Sequence, residues 1–161
     1  MTTYGTHRIP RGTMATFDIT PTGPVRVGVA AGTDVRVDGA GEFVRIRAHD
    51  LSDAARRAAS VRYDRPGVDV LVDIEVVIAR DARTARKTMS EADGRGGGDT
   101  LSYVGTPTGL VGLINDIHGL GIADGAVLIP LADSGVLALL RHQVLPELRG
   151  PRGDVRQLRP A

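Results

Sequence analysis

Two stretches decide the fold: Tyr103-Val104-Gly105-Thr106-Pro107, and Asp124-Gly125-Ala126-Val127-Leu128-Ile129-Pro130. The first reads as a strand running into a helix start. Thr106 suits the N-cap, and Pro107 suits the first helical position, where its missing N–H costs nothing. Leu110, Leu113, Ile114 and Ile117 then recur at helical spacing and form one apolar stripe. Gly119 is expected to stop that helix. Ala126 to Leu131 is a short apolar run, as a strand buried on both faces should be. A last helix follows, capped by Asp133 or Ser134, with Val136, Leu137, Leu140, Val144 and Leu145 turned inward. Strand, helix, strand, helix is the pattern with which an α/β barrel closes.

Working back toward the N-terminus, Val68 to Ala79 is the longest strand candidate. Val70, Val72, Ile74, Val76 and Ile78 share one face; Asp69, Leu71, Asp73, Glu75 and Val77 share the other. Asp81 caps a short helix reaching about Met89. Before that strand, Leu51, Ala54, Ala55, Ala58 and Val61 give a helix capped by Asp50. Glu42 to Ala48 and Pro24 to Ala30 both alternate as strands do. Residues 1–23 read as an extended or disordered arm, 24–150 as the α/β domain, and 151–161 as a flexible tail. Strands alternating with helices imply a mostly parallel sheet covered by helices. The fold expected is a partial (β/α) barrel of the TIM type, since 161 residues fall short of a full one.

Composition narrows the chemistry. The chain is 42% hydrophobic with five aromatic residues, so its core is aliphatic. With no cysteine, disulfides, thiol catalysis and Cys-ligated metals are excluded. A net charge of +1 gives no field for nucleic acid or an anionic membrane surface. No apolar leader and no membrane-length run is seen, so a cytoplasmic protein is expected. Gly94-Arg95-Gly96-Gly97-Gly98 looks like a phosphate cradle, but no strand precedes it and no Lys-Ser/Thr follows. It reads as a linker.

Candidate polar residues gather on the strands. Asp73 and Glu75 point to one face, and Arg45 and Arg47 are likewise two apart, with Arg26 on a third strand. The pattern suggests cross-strand ion pairs in a barrel interior; a carboxylate pair for acid–base work is the sharper alternative. Of four histidines, His49 alone ends a strand where α/β sites gather. His118 sits at a helix C-terminus, a favourable place for partial positive charge. His142 reads as solvent-facing, and His7 lies in the arm. No histidine pair has metal-ligand spacing, and no metal site is expected.

Leu101-Ser102-Tyr103-Val104-Gly105-Thr106-Pro107, Ala123-Asp124-Gly125 and Val144-Leu145-Pro146-Glu147-Leu148 together resemble the C-terminal end of the bacterial luciferase-like flavin-dependent monooxygenases. The branch is that of the nitrilotriacetate and dibenzothiophene-sulfone monooxygenases. Leu71 to Arg86 also resembles a strand and helix of that family, and Pro24 to Asp34 its strand and phosphate turn. The resemblance spans residues 24–150. It implies an oxidoreductase using reduced flavin and O2, with FMN from a separate flavin reductase, or the deazaflavin F420. On this likeness Gly32 and Thr33 are the cofactor-binding residues. Asp34 stands where the family has a serine, and its charge would repel a phosphate. The family's chains are longer, and their N-terminal strands have no counterpart here. The alternative is a non-catalytic half-barrel partner or regulatory subunit without flavin. Either way an incomplete barrel has open edges, so a homodimer or a heteromeric partner chain is expected to cover them.

Overall fold

The computed structural model describes residues 23–150 except Asp93, Gly94, Arg95, Gly97 and Asp133. The expected arm (apart from Gly23), the tail, most of the glycine run and the Asp133 cap lie outside the described residues. Six strands and five helices appear in this order: β1 (Arg26–Ala31), β2 (Asp34–Val37), β3 (Phe43–Ile46), α1 (Leu51–Asp64), β4 (Asp69–Ile78), α2 (Ala82–Glu91), β5 (Leu101–Gly105), α3 (Pro107–Gly119), β6 (Gly125–Pro130), α4 (Ser134–Leu139) and α5 (Leu145–Arg149). A π-helical turn, Leu140–Val144, joins the last two. No helix among the described residues is long and apolar enough to cross a membrane.

The caps form as their side chains dictate. Asp50, Asp81 and Thr106 each accept a hydrogen bond from the backbone N–H three residues on. α3 stops at Gly119 as expected, but Gly119 is its last helical residue rather than the residue beyond it, and Gly121, with φ +68°, takes the left-handed position. The final helix is interrupted for a packing reason. Val136, Leu140, Val144 and Leu148 are all buried at strict four-residue spacing. That spacing overshoots the 3.6 residues of an α-helical turn, and the wider π-turn absorbs the drift.

The six strands form one curled sheet with the path β2-β1-β6-β4-β3, and β5 also pairs with β4. The β1–β2 pairing is antiparallel, while β1–β6, β6–β4, β4–β3 and β4–β5 are parallel. The sheet is therefore mixed, and the expectation of a mostly parallel one is corrected. The cause is β2, which the sequence reading missed. Gly32 and Thr33 make a two-residue turn, with Gly32 at φ +64°, and the chain folds straight back on β1.

Strand order differs from a consecutive barrel too. There β5 would lie between β4 and β6. Here β4 pairs directly with β6 through Leu71–Val76, and β3 and β5 share its other edge in succession. The β4-to-β5 crossover thus runs opposite in sense to those before and after it. Right-handed crossovers then place α1 and α3 on one face and α2 on the other. Burial agrees. Ala54, Ala58, Leu110, Ile114 and Ile117 join the main core with Val70, Val72, Ile74 and Val76, whereas Ala85 of α2 is buried outside it.

Asp124 and Gly125 show why those residues sit together. The Asp124 carboxylate accepts from the Val70 N–H at 2.7 Å and from Arg62 at 3.2 Å, registering β6 against the start of β4. Gly125 then packs its bare Cα on Arg26 of β1, where a Cβ would come within 1.7 Å of the Arg26 carbonyl oxygen.

Candidate functional site

The face of the sheet opposite α1 and α3 carries the polar residues that the alternation grouped together. Asp73 projects from the middle of β4 and is buried. Arg45, on β3, grips it with two bonds: Nε donates to Oδ1 at 2.8 Å and Nη2 to Oδ2 at 2.9 Å. This bidentate geometry is the strongest form of carboxylate recognition. The Arg47 Nε lies 3.7 Å from the same carboxylate and is well exposed. Both arginines thus converge on Asp73, as the shared alternation suggested.

Glu75, two residues on, is also buried. It lies beneath Gly96, where an added methyl would meet Glu75 Oε2 at 3.1 Å, Met89 Cε at 3.8 Å and Leu131 Cδ1 at 3.9 Å. Arg26 belongs to a different cluster. Its guanidinium donates to the carboxylate of Asp69 at 2.8 Å and to the carbonyl of Asp38 at 3.0 Å, and stacks 5.4 Å from the Phe43 ring centroid. It ties β1, the β2–β3 connection and the start of β4 together, at the amino end of the sheet.

His49 follows β3 at its carboxyl end. Its Nδ1 is 3.0 Å from Asp53 and its Nε2 3.1 Å from Asp50. Asp53 is a hub that the sequence reading passed over: its buried carboxylate also receives Arg56 at 2.6 Å, Arg57 at 2.9 Å and the His49 N–H. Burial pushes the Asp53 pKa up; hydrogen bonds from Arg57, Arg56 and the His49 N–H outweigh that and bring it down from 3.8 to about 2. The signal was present in the sequence, since Asp53 precedes arginines at i+3 and i+4. With carboxylates at both ring nitrogens, His49 is held as part of this helix-start network.

A pH dependence follows from the lowered pKa of Asp53. The carboxylate stabilises the fold above about pH 4, and that contribution is lost as pH falls through about 2. Asp53→Asn should therefore flatten the dependence of unfolding free energy on pH between those values. Urea melts at a series of acid pH values will show it; unchanged slopes would deny Asp53 this role.

Gly32 and Thr33 are exposed at the tip of the β1–β2 hairpin. A side chain built on Gly32 would meet nothing within 4 Å. The turn is therefore no cradle that a Cβ would fill, and Asp34 beside it is an exposed carboxylate. By itself it does not fit a flavin phosphate.

His118 reaches back across the fold, its Nε2 2.9 Å from the Gly23 carbonyl, while His142 is exposed. The topology adds a location the sequence did not give. The exit from β4 leads to α2 on one face, and the exit from β6 leads to α4 and its neighbours on the other. Such a reversal opens a crevice at the carboxyl ends of adjacent strands, the habitual ligand position of open α/β sheets. Glu75, paired in register with Ile129, stands near those ends of β4 and β6. No family model matches the chain, and no curated protein does.

Proposed function

We propose that the chain is a luciferase-like half-barrel, its strand order rearranged from that of a TIM barrel, that serves a flavin-dependent monooxygenase only when a second chain completes it. The observation that carries this reading is the polar wall of β3 and β4: a buried carboxylate gripped by arginine on the face away from α1 and α3. A domain folded for its own stability alone gains little from such a pair, whose desolvation offsets most of its attraction. The outer edges of β2, β3 and β5 carry no further strand among the described residues, so backbone donors and acceptors remain there for a partner. The segments Leu101–Pro107 and Ala123–Gly125 supply the likeness to the monooxygenases. The hairpin turn does not grip a flavin phosphate alone, so the partner, a second copy or a different subunit, must contribute that grip. A separate flavin reductase would deliver reduced FMN, and F420 is the other cofactor of this class.

The test has two readings. Light scattering on the purified chain should give the mass of a dimer, or of a complex when the neighbouring coding sequence is co-expressed. FMN or F420 titrated into that assembly should lose fluorescence. Unchanged emission at high micromolar assembly would remove the enzyme reading. It would leave the second one, a non-catalytic half-barrel that supports or regulates another chain. That alternative is favoured by the exposed hairpin at Gly32.

A further inference from the structure

Among the described residues, the helix-bearing side of the sheet is not covered everywhere. β3, β4 and β6 lie beneath α1, α3 and the last helical segment, but among the described residues β1 and β2 have no helix of their own. Val25, Val27, Val29 and Ala31 line that side of β1, and Leu145, Leu148 and Arg149 of α5 border it. Two grooves result, of about 880 Å³ and 790 Å³. They meet at the Asp38–Arg149 ion pair, bidentate at 2.7 and 3.0 Å. One runs from Pro24 to Val27 beside Pro146 and Leu148; the other runs from Val27 to Ala31 beside Leu145 and Arg141.

Their joint length is that of β1, six residues or about 20 Å at the rise of a strand. A helix rising 1.5 Å per residue covers that distance in about 13 residues. The floor is apolar, with Val27, Leu145 and Leu148 buried and Val25 and Val29 half-buried. The rim carries exposed Arg36 and Arg141, which have no ion-pair partner among the described residues, against one exposed carboxylate, Asp34. Asp38 is already taken by Arg149.

We propose that this groove receives an amphipathic helix of a partner protein, apolar along one stripe and acidic on its flanks. Helix-in-groove recognition needs that combination: apolar anchors for the floor and charge opposite to the rim. Charge also argues against the chain's own segments as occupants. The exposed faces of α1 and α2 carry Arg56, Arg57, Arg83, Arg86 and Lys87. Residues 1–22 carry Arg8 and Arg11 against Asp18, and 151–161 carry Arg152, Arg156 and Arg159 against Asp154. All would meet a rim of their own sign. The groove lies away from the polar wall of β3 and β4, so this inference stands whether or not flavin binds.

The experiment is to pan the full chain against a displayed library of helical sequences of about 13 residues. Enriched sequences should share apolar residues at i, i+3, i+4 and i+7 and an excess of Asp and Glu. Their binding should weaken about tenfold or more on the double variant Arg36→Glu/Arg141→Glu. Both residues are exposed, so that variant keeps its fold, checked by an unchanged melting temperature. Val29→Glu, which places a charge on the floor, should weaken the same sequences independently. No enrichment, enrichment without acidic flanks, or equal binding to the double variant would each overturn the proposal. So would a concentration-dependent dimer that the double variant abolishes, because it would assign the groove to a second copy.

Discussion

Gly125→Ala is expected to leave little or no folded protein. Gly125 opens β6 and pairs with Arg26 of β1 on one side and Leu71 of β4 on the other. A Cβ there would stand 1.7 Å from the Arg26 carbonyl oxygen, 2.6 Å from its carbonyl carbon and 2.9 Å from its amide nitrogen. All three are backbone atoms of a paired strand, so no side-chain rotation relieves the clash. β1 must move away from β6, losing the Arg26 clamp on Asp69 and the hairpin that hangs from β1. Overpacking a well-filled core costs about 1–3 kcal/mol when side chains yield. Here the backbone must yield, so about 3 kcal/mol or more is expected, a large part of a small domain's stability. The measurement is soluble yield and the urea midpoint. Gly112→Ala is the control: its added methyl meets nothing within 4 Å, and it should melt at or above the parent temperature. A Gly125→Ala protein as stable as the parent would refute the close packing of β1 on β6.

That close approach marks a boundary of what sequence reading delivers. Strand and helix existence was legible wherever period carried it. β4 has an apolar residue at every second position from Val70 to Ile78, and α3 announces itself through Thr106, Pro107 and its apolar stripe. The faces were legible for the same reason, which is why Arg45 and Asp73 could be paired across two strands. β2 was missed because four residues, Asp34-Val35-Arg36-Val37, look like loop when read alone. Their strand character comes from the partner β1, a tertiary effect that a local window does not contain. Strand order was not legible either. Alternating elements are consistent with consecutive pairing or with a reversal, and only long-range packing sends β6 to the far edge of β4. The Asp53 hub was readable as spacing, but its burial was not. Gly119 was legible as the stop of α3, but the left-handed residue beyond it, Gly121, was not.

The Arg45–Asp73 pair should respond asymmetrically to the loss of either partner. Asp73 is 3% exposed and Arg45 32% exposed, so the carboxylate depends on its partner far more than the guanidinium does. Arg45→Met leaves a buried charge with Arg47 alone, 3.7 Å away. Breaking a buried pair in this way costs about 3–5 kcal/mol; movement of Arg47 toward Asp73 should hold the loss near about 3. Asp73→Leu frees a guanidinium that turns to water, and the expected cost is about 1 kcal/mol, close to that of the hydrogen bonds lost. The double variant Arg45→Met/Asp73→Leu replaces the pair by apolar side chains of similar size and should recover most of the stability lost in Arg45→Met. Urea unfolding of the four proteins closes the cycle. Arg47→Ala tests the rescue directly, because in the Arg45→Met background it should destabilise further, while alone it should cost no more than a surface ion pair, about 0–1 kcal/mol. If Arg45→Met proves no worse than Asp73→Leu, the carboxylate finds other partners on the β3–β4 wall. The polar face then has more cations available to it than Arg45 and Arg47.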